Sequence, residues 1–228
     1  MEQSRILVIL MIYLKNIQIS MAKFKKKGRE HSVLKRRRAF LLERESFLII
    51  CEGENTEPIY FKSFRLSSAR VKTLSYTNKG NAMNFINAAI NYKNTRDDDF
   101  DHYWVVFDKD ENTNDNFNSA IDLAKSHGFS VAYSIQSFEF WFLLHFQYHL
   151  GLMHRNTFRT RLSRHLRIQY EKDKATCKNL YSLLLPYQQT AIKNSEAVYG
   201  RIGDHSNIAT EESSTTVQEL VKTLNKYL

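Results

Sequence analysis

The sequence predicts an α/β fold: a mostly parallel sheet with helices on both faces, followed by a C-terminal helical extension. Three observations lead there. Short, wholly apolar runs of strand length alternate with stretches of helical spacing through residues 46–150. After Gly151 the strand signals stop and helical ones continue. Acid-rich polar turns follow two of the apolar runs, where an open parallel sheet presents side chains to ligands.

Ser46 to Cys51 (SFLIIC) shows no polar alternation, as expected of a central strand covered on both sides. It stops at Glu52-Gly53-Glu54-Asn55-Thr56-Glu57. Pro58 then suits the first turn of a helix through Phe64, where its missing N–H costs nothing. Val71 to Tyr76 predicts a second strand, and Met83, Phe85, Ile86, Ala89 and Ile90 give helical spacing over Asn81 to Tyr92. Tyr103 to Phe107 (YWVVF) predicts a third buried strand, ending in Asp108-Lys109-Asp110-Glu111. A helix over Phe117 to Lys125 is closed by Gly128, and Val131 to Ile135 predicts a fourth strand. The aromatic stretch Phe138 to Phe146 follows. Beyond it, helices are expected over Thr157–Ile168, Asn179–Leu185, Gln188–Tyr199 and Val217–Tyr227. Ser213-Ser214-Thr215-Thr216 with Glu219 supplies cap-type residues for the last of these.

The 228 residues are 43% hydrophobic and 25% charged, enough apolar material for a core. Seven glycines and two prolines exclude a collagen-like or linker-dominated chain. Two cysteines exclude a disulfide framework and a zinc ribbon, and fit a reducing cytoplasm. The apolar run Ile6 to Leu14 is too short for a bilayer, which needs about 20 residues, and no signal-peptide pattern surrounds it, so no membrane role is expected. Met21 opens MAKFKKKGRE like the start of a soluble basic protein, and residues 1–20 read as an upstream extension.

Charge is unevenly placed. Of the net +9, residues 21–45 carry +7, so the basicity is an N-terminal arm ahead of a core over 46–150 and an extension over 151–228. Lys25, Lys26, Lys27, Arg36, Arg37 and Arg38 are its candidate nucleic-acid contacts, against the plainer reading of a solvated tail.

The carboxylates carry the chemistry. Glu52 directly follows the first strand, and Asp108 and Asp110 follow the third. Residues two apart in extended chain point the same way, so the two aspartates are expected to converge, with Glu52 beside them if the strands are neighbours. Crowded carboxylates repel unless a cation compensates, and hard oxygen ligands suit Mg²⁺ or Mn²⁺. Such an ion activates water and stabilises a phosphoryl transition state, which points to phosphodiester hydrolysis. Each residue also has a plainer role: Asp108 and Asp110 as turn formers, and Glu52 and Glu57 as partners of a helix N-terminus. Glu139, set among aromatic residues, either leans into the site or caps its own helix, and His145 reads first as a satisfied core histidine.

Three ordered blocks resemble the RloB-like family, which is related to the Toprim fold. They are Cys51-Glu52-Gly53 with Thr56-Glu57-Pro58-Ile59-Tyr60-Phe61, then Val106-Phe107-Asp108-Lys109-Asp110, then Phe138-Glu139-Phe140-Trp141-Phe142-Leu143-Leu144-His145-Phe146. The resemblance runs from about residue 23 to the C-terminus, with Ser214 to Leu224 similar to the family's terminal helix. It implies a Toprim-type nuclease site, with Glu52 as general acid or base and metal ligand, Asp108 and Asp110 holding the ion, and Glu57 as a match for a second glutamate; Glu139 and His145 are further catalytic candidates on their own positions. The spacing EGENTE is one residue longer than the family's EGxTE, so either Glu54 or Glu57 fills the second glutamate's place. The resemblance further implies a prokaryotic phage-defence or abortive-infection role and an ATPase partner from a neighbouring gene; an active isolated nuclease would endanger its host, which favours control by assembly, with a homo-oligomer as one form of it.

Other readings are weaker on the residues. An EF-hand fails because Thr113 and Ser119 stand where glycine and glutamate are required. A haloacid-dehalogenase phosphatase expects Thr or Val where Asn112 stands. No Gly-rich phosphate loop occurs, so ATP hydrolysis by this chain is not expected. The rival from another class is a non-catalytic Toprim-like adaptor that binds nucleic acid or an ATPase. Retention of Glu52, Asp108 and Asp110 together favours the enzyme.

Overall fold

The apolar runs form the strands β1 (Glu45–Cys51), β2 (Ala69–Ser75), β3 (His102–Asp108) and β4 (Ser130–Ser134) of one sheet. The structure is a computed structural model and describes residues 45–76 and 80–228. All pairings are parallel and the strand order is β2-β1-β3-β4. Residues 1–20 and the basic arm, with Lys25, Lys26, Lys27, Arg36, Arg37 and Arg38, lie outside the described residues.

Alternation along the strands sorts side chains onto two buried faces. Leu48, Ile50, Val105 and Phe107 pack under α2 (Ala82–Asn94) and α3 (Asn114–Ser126). Phe47, Ile49, Cys51, Trp104 and Val106 face the other way. There they meet α1 (Thr56–Lys62), α4 (Glu139–Leu144), α5 (Arg155–Leu166), α6 (Lys174–Leu184), α7 (Gln188–Ile202) and α8 (Val217–Asn225). The helices after Gly151 thus help to cover one side of the sheet. Tyr60 is the hub of this layer: its ring lies 5.3–5.9 Å from those of Phe61, Phe64, Phe138, Phe142 and Tyr181. Its hydroxyl accepts the Trp141 indole N–H at 3.1 Å, so both polar tips are buried with a partner.

The strand order has a functional consequence. The connection from β1 to β2 runs to one side and that from β2 to β3 back across the sheet, so the chain reverses direction between β1 and β3. Loops leaving these two strands diverge above the sheet there and leave a crevice.

One expectation is corrected. Ser213-Ser214-Thr215-Thr216 was expected to cap the last helix, yet it runs along the open edge of β4. Ile135 N–H donates to Ser214 O at 2.8 Å, Thr216 N–H to Tyr133 O at 3.0 Å, and Tyr133 N–H to Thr216 Oγ1 at 3.0 Å. Ser134 and Thr215 form an antiparallel bridge. These donors and acceptors blunt a sheet edge that would otherwise invite pairing with another chain. The helix start receives only a bond from Val217 N–H to Thr215 Oγ1 at 3.2 Å, and Glu219 pairs with Lys222 instead of capping.

Candidate active site

The first two carboxylates stand at the β1/β3 reversal. Glu52 extends the ladder by one bond, its N–H donating to Val106 O at 2.9 Å, and its Oε2 accepts the N–H of Asp108 at 3.4 Å. Asp108 Oδ2 accepts the N–H of Phe138 at 3.0 Å, which ties the end of β3 to the start of α4. Strand register therefore brings together two acids 56 positions apart in the chain.

Two further glutamates join them. Glu57, on α1, is buried and curls over Gly53, its Oε2 lying 2.2 Å from where a methyl group at Gly53 would stand, so a side chain there would displace the carboxylate. Glu139, the first residue of α4, is 2% exposed, with Oε1 accepting the Tyr170 hydroxyl at 2.9 Å and Oε2 lying 2.8 Å from Lys172 Nζ. Lys172 sits in the loop between α5 and α6, fastened by Asn55 Nδ2–H donating to its carbonyl at 3.3 Å.

The electrostatics follow from this crowding. Burial, with Glu57 beside it, pushes Asp108 well above the ordinary carboxylate range; Lys172 opposes the shift and Glu139 and Glu52 reinforce it. Burial, with Glu139 and Glu52, raises Glu57 to about 7. Glu52 is raised by burial too, partly offset by the Asp108 N–H. Burial alone would lower Lys172, but Glu139, Asp108 and Glu57 outweigh it and hold the ammonium charged above its usual range. The lysine is thus the resident counter-charge of three carboxylates, Glu139, Asp108 and Glu57.

These shifts fix a sign for pH. The folded chain holds the Glu57 proton more tightly than the unfolded chain, so stability is full below the ordinary glutamate pKa of 4.5 and falls as pH rises toward 7. Without added metal, the melting temperature is expected to fall across this window and Glu57→Gln to flatten the fall. Calorimetry that found the same slope in the variant would contradict this reading of the cluster.

Asp110 departs from the expected geometry. The chain leaves extended conformation after Asp108, and Asp110 adopts φ +41°, a left-handed turn that aspartate tolerates. The alternation that would have aligned it with Asp108 ends with the strand. Its carboxylate instead pairs with Arg155 at the start of α5. It still shares a cleft of about 340 Å³ with Glu52, Asn81 and Asn112.

His145 stands apart from the carboxylates. It is 1% exposed, its Nδ1–H donates to Trp141 O at 3.0 Å, and its ring meets the Trp141 ring edge-on at 4.9 Å. Burial lowers it to about 4, which keeps it neutral, and of its two ring nitrogens only Nδ1 has a partner among the described residues, so it is a core histidine that is half satisfied. Glu54 is exposed, so the buried Glu57 is the glutamate of EGENTE that meets the cluster.

A second cleft, of about 390 Å³, adjoins Glu139 and is lined by Arg155, Asn156, Arg159, Tyr170 and Lys172. The Arg155–Asp110 pair lies between it and the Glu52 cleft. Sequence reasoning missed Lys172 and this basic wall. Five arginines and no acid in residues 154–167 are the available signal, concealed by the near-zero net charge of residues 46–228 as a whole.

The donor chemistry fits a hard divalent cation in one limited way. Among the described residues, no three His, Cys, Asp or Glu side chains form a ready cage. Magnesium does not need one: it is commonly bound through one or two carboxylates and completes its shell with water and substrate phosphate. Glu52 and Asp108, adjacent and raised by burial, are the pair with that character.

Among the described residues, no helix is long and apolar enough to cross a membrane. A search of curated proteins and a search of solved structures gave no match. The family model described as RloB-like protein matches residues 47–224, from within β1 to the last turn of α8. With the sheet, the acidic turns and the closing helix all inside that match, the chain belongs to the RloB-like family.

Proposed function

We propose that this chain is a Mg²⁺- or Mn²⁺-dependent nuclease of a prokaryotic phage-defence system, controlled by a partner ATPase from a neighbouring gene. The carrying observation is the meeting of Glu52, Asp108, Glu57 and Glu139 at the β1/β3 reversal beside a wall of arginines. Buried acids with raised proton affinity next to fixed cations suit chemistry on a polyanion.

In this reading Asp108 and Glu52 would hold the ion, which would supply polarisation of the phosphate and acidification of water. Glu57, with a pKa of about 7, is poised to take or give a proton near neutral pH. Lys172 neutralises the buried carboxylates so that they can stay close together. Arg155 and Arg159 supply positive charge for the phosphates on either side of the reacting one. The basic arm adds substrate attraction at low salt.

The test is incubation of purified full-length protein, with and without the neighbouring ATPase, with DNA and total RNA in Mg²⁺ or Mn²⁺. Metal-dependent cleavage that EDTA abolishes is expected. Binding without cleavage under every condition would instead identify a non-catalytic adaptor.

A further inference from the structure

We propose that the exposed side of α5 and the aromatic stack at its far end form a track for single-stranded nucleic acid, an inference that rests on the nuclease reading for its polyanion. Phe158 and Leu162 anchor α5 in the core and leave its arginines outside. Arg155 and Arg159 line the cleft beside Glu139. Arg161 and Arg164 line the next cleft, of about 700 Å³, and Asn156 is common to both. Asp110 and Glu171 already engage the first two arginines. Arg161 and Arg164 pair with no carboxylate among the described residues, and no Asp or Glu is among the side chains that line the second cleft.

What distinguishes a single strand from any other polyanion is the stack at the end of this cleft. The His165 and Phe146 rings are stacked, their centroids 5.0 Å apart and their planes 3° from parallel, and Tyr187 leans on Phe146 at 5.3 Å. The His165 ring is held by Gln147 Oε1 at 3.1 Å from Nε2. Both His165 and Tyr187 are exposed, so the stack ends in solvent-facing rings. Exposed rings beside arginines accept unpaired bases, whereas a duplex keeps its bases stacked within itself. From His165 back to Arg155 is about 15 Å along the helix. The lining side chains wind round the exposed side of α5, so a strand stacked at His165 would cross that side obliquely, past Arg164, Arg161 and Asn156, to reach the carboxylates.

The test measures binding by fluorescence anisotropy in EDTA, using the full-length protein, labelled 20-nucleotide single-stranded RNA and DNA, and the matching duplex, over a range of salt. Single strands are expected to bind at least about tenfold more tightly than duplex, with the RNA and DNA arms deciding which is preferred. Replacing Arg161 and Arg164 together by alanine should weaken binding about tenfold and reduce the magnitude of the salt slope by about 1.4, for two lost phosphate contacts. His165→Ala should weaken it about fivefold with the slope unchanged. Unchanged affinity and slope in the arginine variant, equal binding of duplex, or equal competition by polyglutamate would overturn the track. Cleavage retained alongside an inert arginine variant would sink the track alone, and track-dependent binding without cleavage would sink the nuclease alone.

Discussion

Replacing Asp108 by asparagine is expected to lower the rate of cleavage on the order of a thousandfold or more, and to make the protein more stable. The two effects share a cause. Asp108 is pushed well above the ordinary carboxylate range by burial and by Glu57, so its charged form is held against an unfavourable field. Asparagine keeps an oxygen for the Phe138 N–H, which bonds Oδ2 at 3.0 Å, and removes the charge, for a gain of about 1–2 kcal/mol. The rate falls because the proposed ion loses one of its two anionic ligands. Asp108→Ala would obscure the comparison, since it also strands the Phe138 N–H at a cost of about 1–3 kcal/mol. Parallel thermal melts and cleavage assays check both halves, and wild-type cleavage by Asp108→Asn would remove the residue from the site.

Loss of Lys172 is expected to act in the opposite direction on stability. In Lys172→Ala, Glu139 keeps only the Tyr170 hydroxyl, and Asp108 and Glu57 also lose their counter-charge. Breaking a fully buried pair costs about 3–5 kcal/mol, but the lysine side chain is 47% exposed, so about 2 kcal/mol is the expected loss, or about 4–8 °C in melting temperature. Adding Glu139→Gln to Lys172→Ala should recover most of it, because the orphaned charge is then gone. Additive losses in that double-mutant cycle would show that the pair is not coupled.

The sheet was legible because its two central strands, β1 and β3, are apolar on both faces. SFLIIC and YWVVF leave no other place to put so many buried side chains, and the acids that end them must then stand at the carboxyl rim. Glu52 and Asp108 were readable for that reason. Asp110 was misplaced because period-two reasoning holds only inside a strand, and the turn at φ +41° ends it. The serine–threonine run before α8 was misassigned because its hydroxyls and backbone groups serve a helix start or a sheet edge equally well. Which one they meet depends on β4, about 80 residues away. Lys172 could not be found from its neighbours Glu171 and Asp173, since the carboxylates it balances lie 33 to 115 positions earlier in the chain.

Titration of the metal-free full-length protein with Mn²⁺, followed by the loss of the free-ion electron paramagnetic resonance signal, asks whether the β1/β3 rim holds an ion without requiring turnover or a substrate. Saturable uptake by the wild type, lost in both Glu52→Gln and Asp108→Asn and retained in His145→Gln, is the result this account predicts. Uptake that is the same in all four proteins, or absent from the wild type, would contradict it.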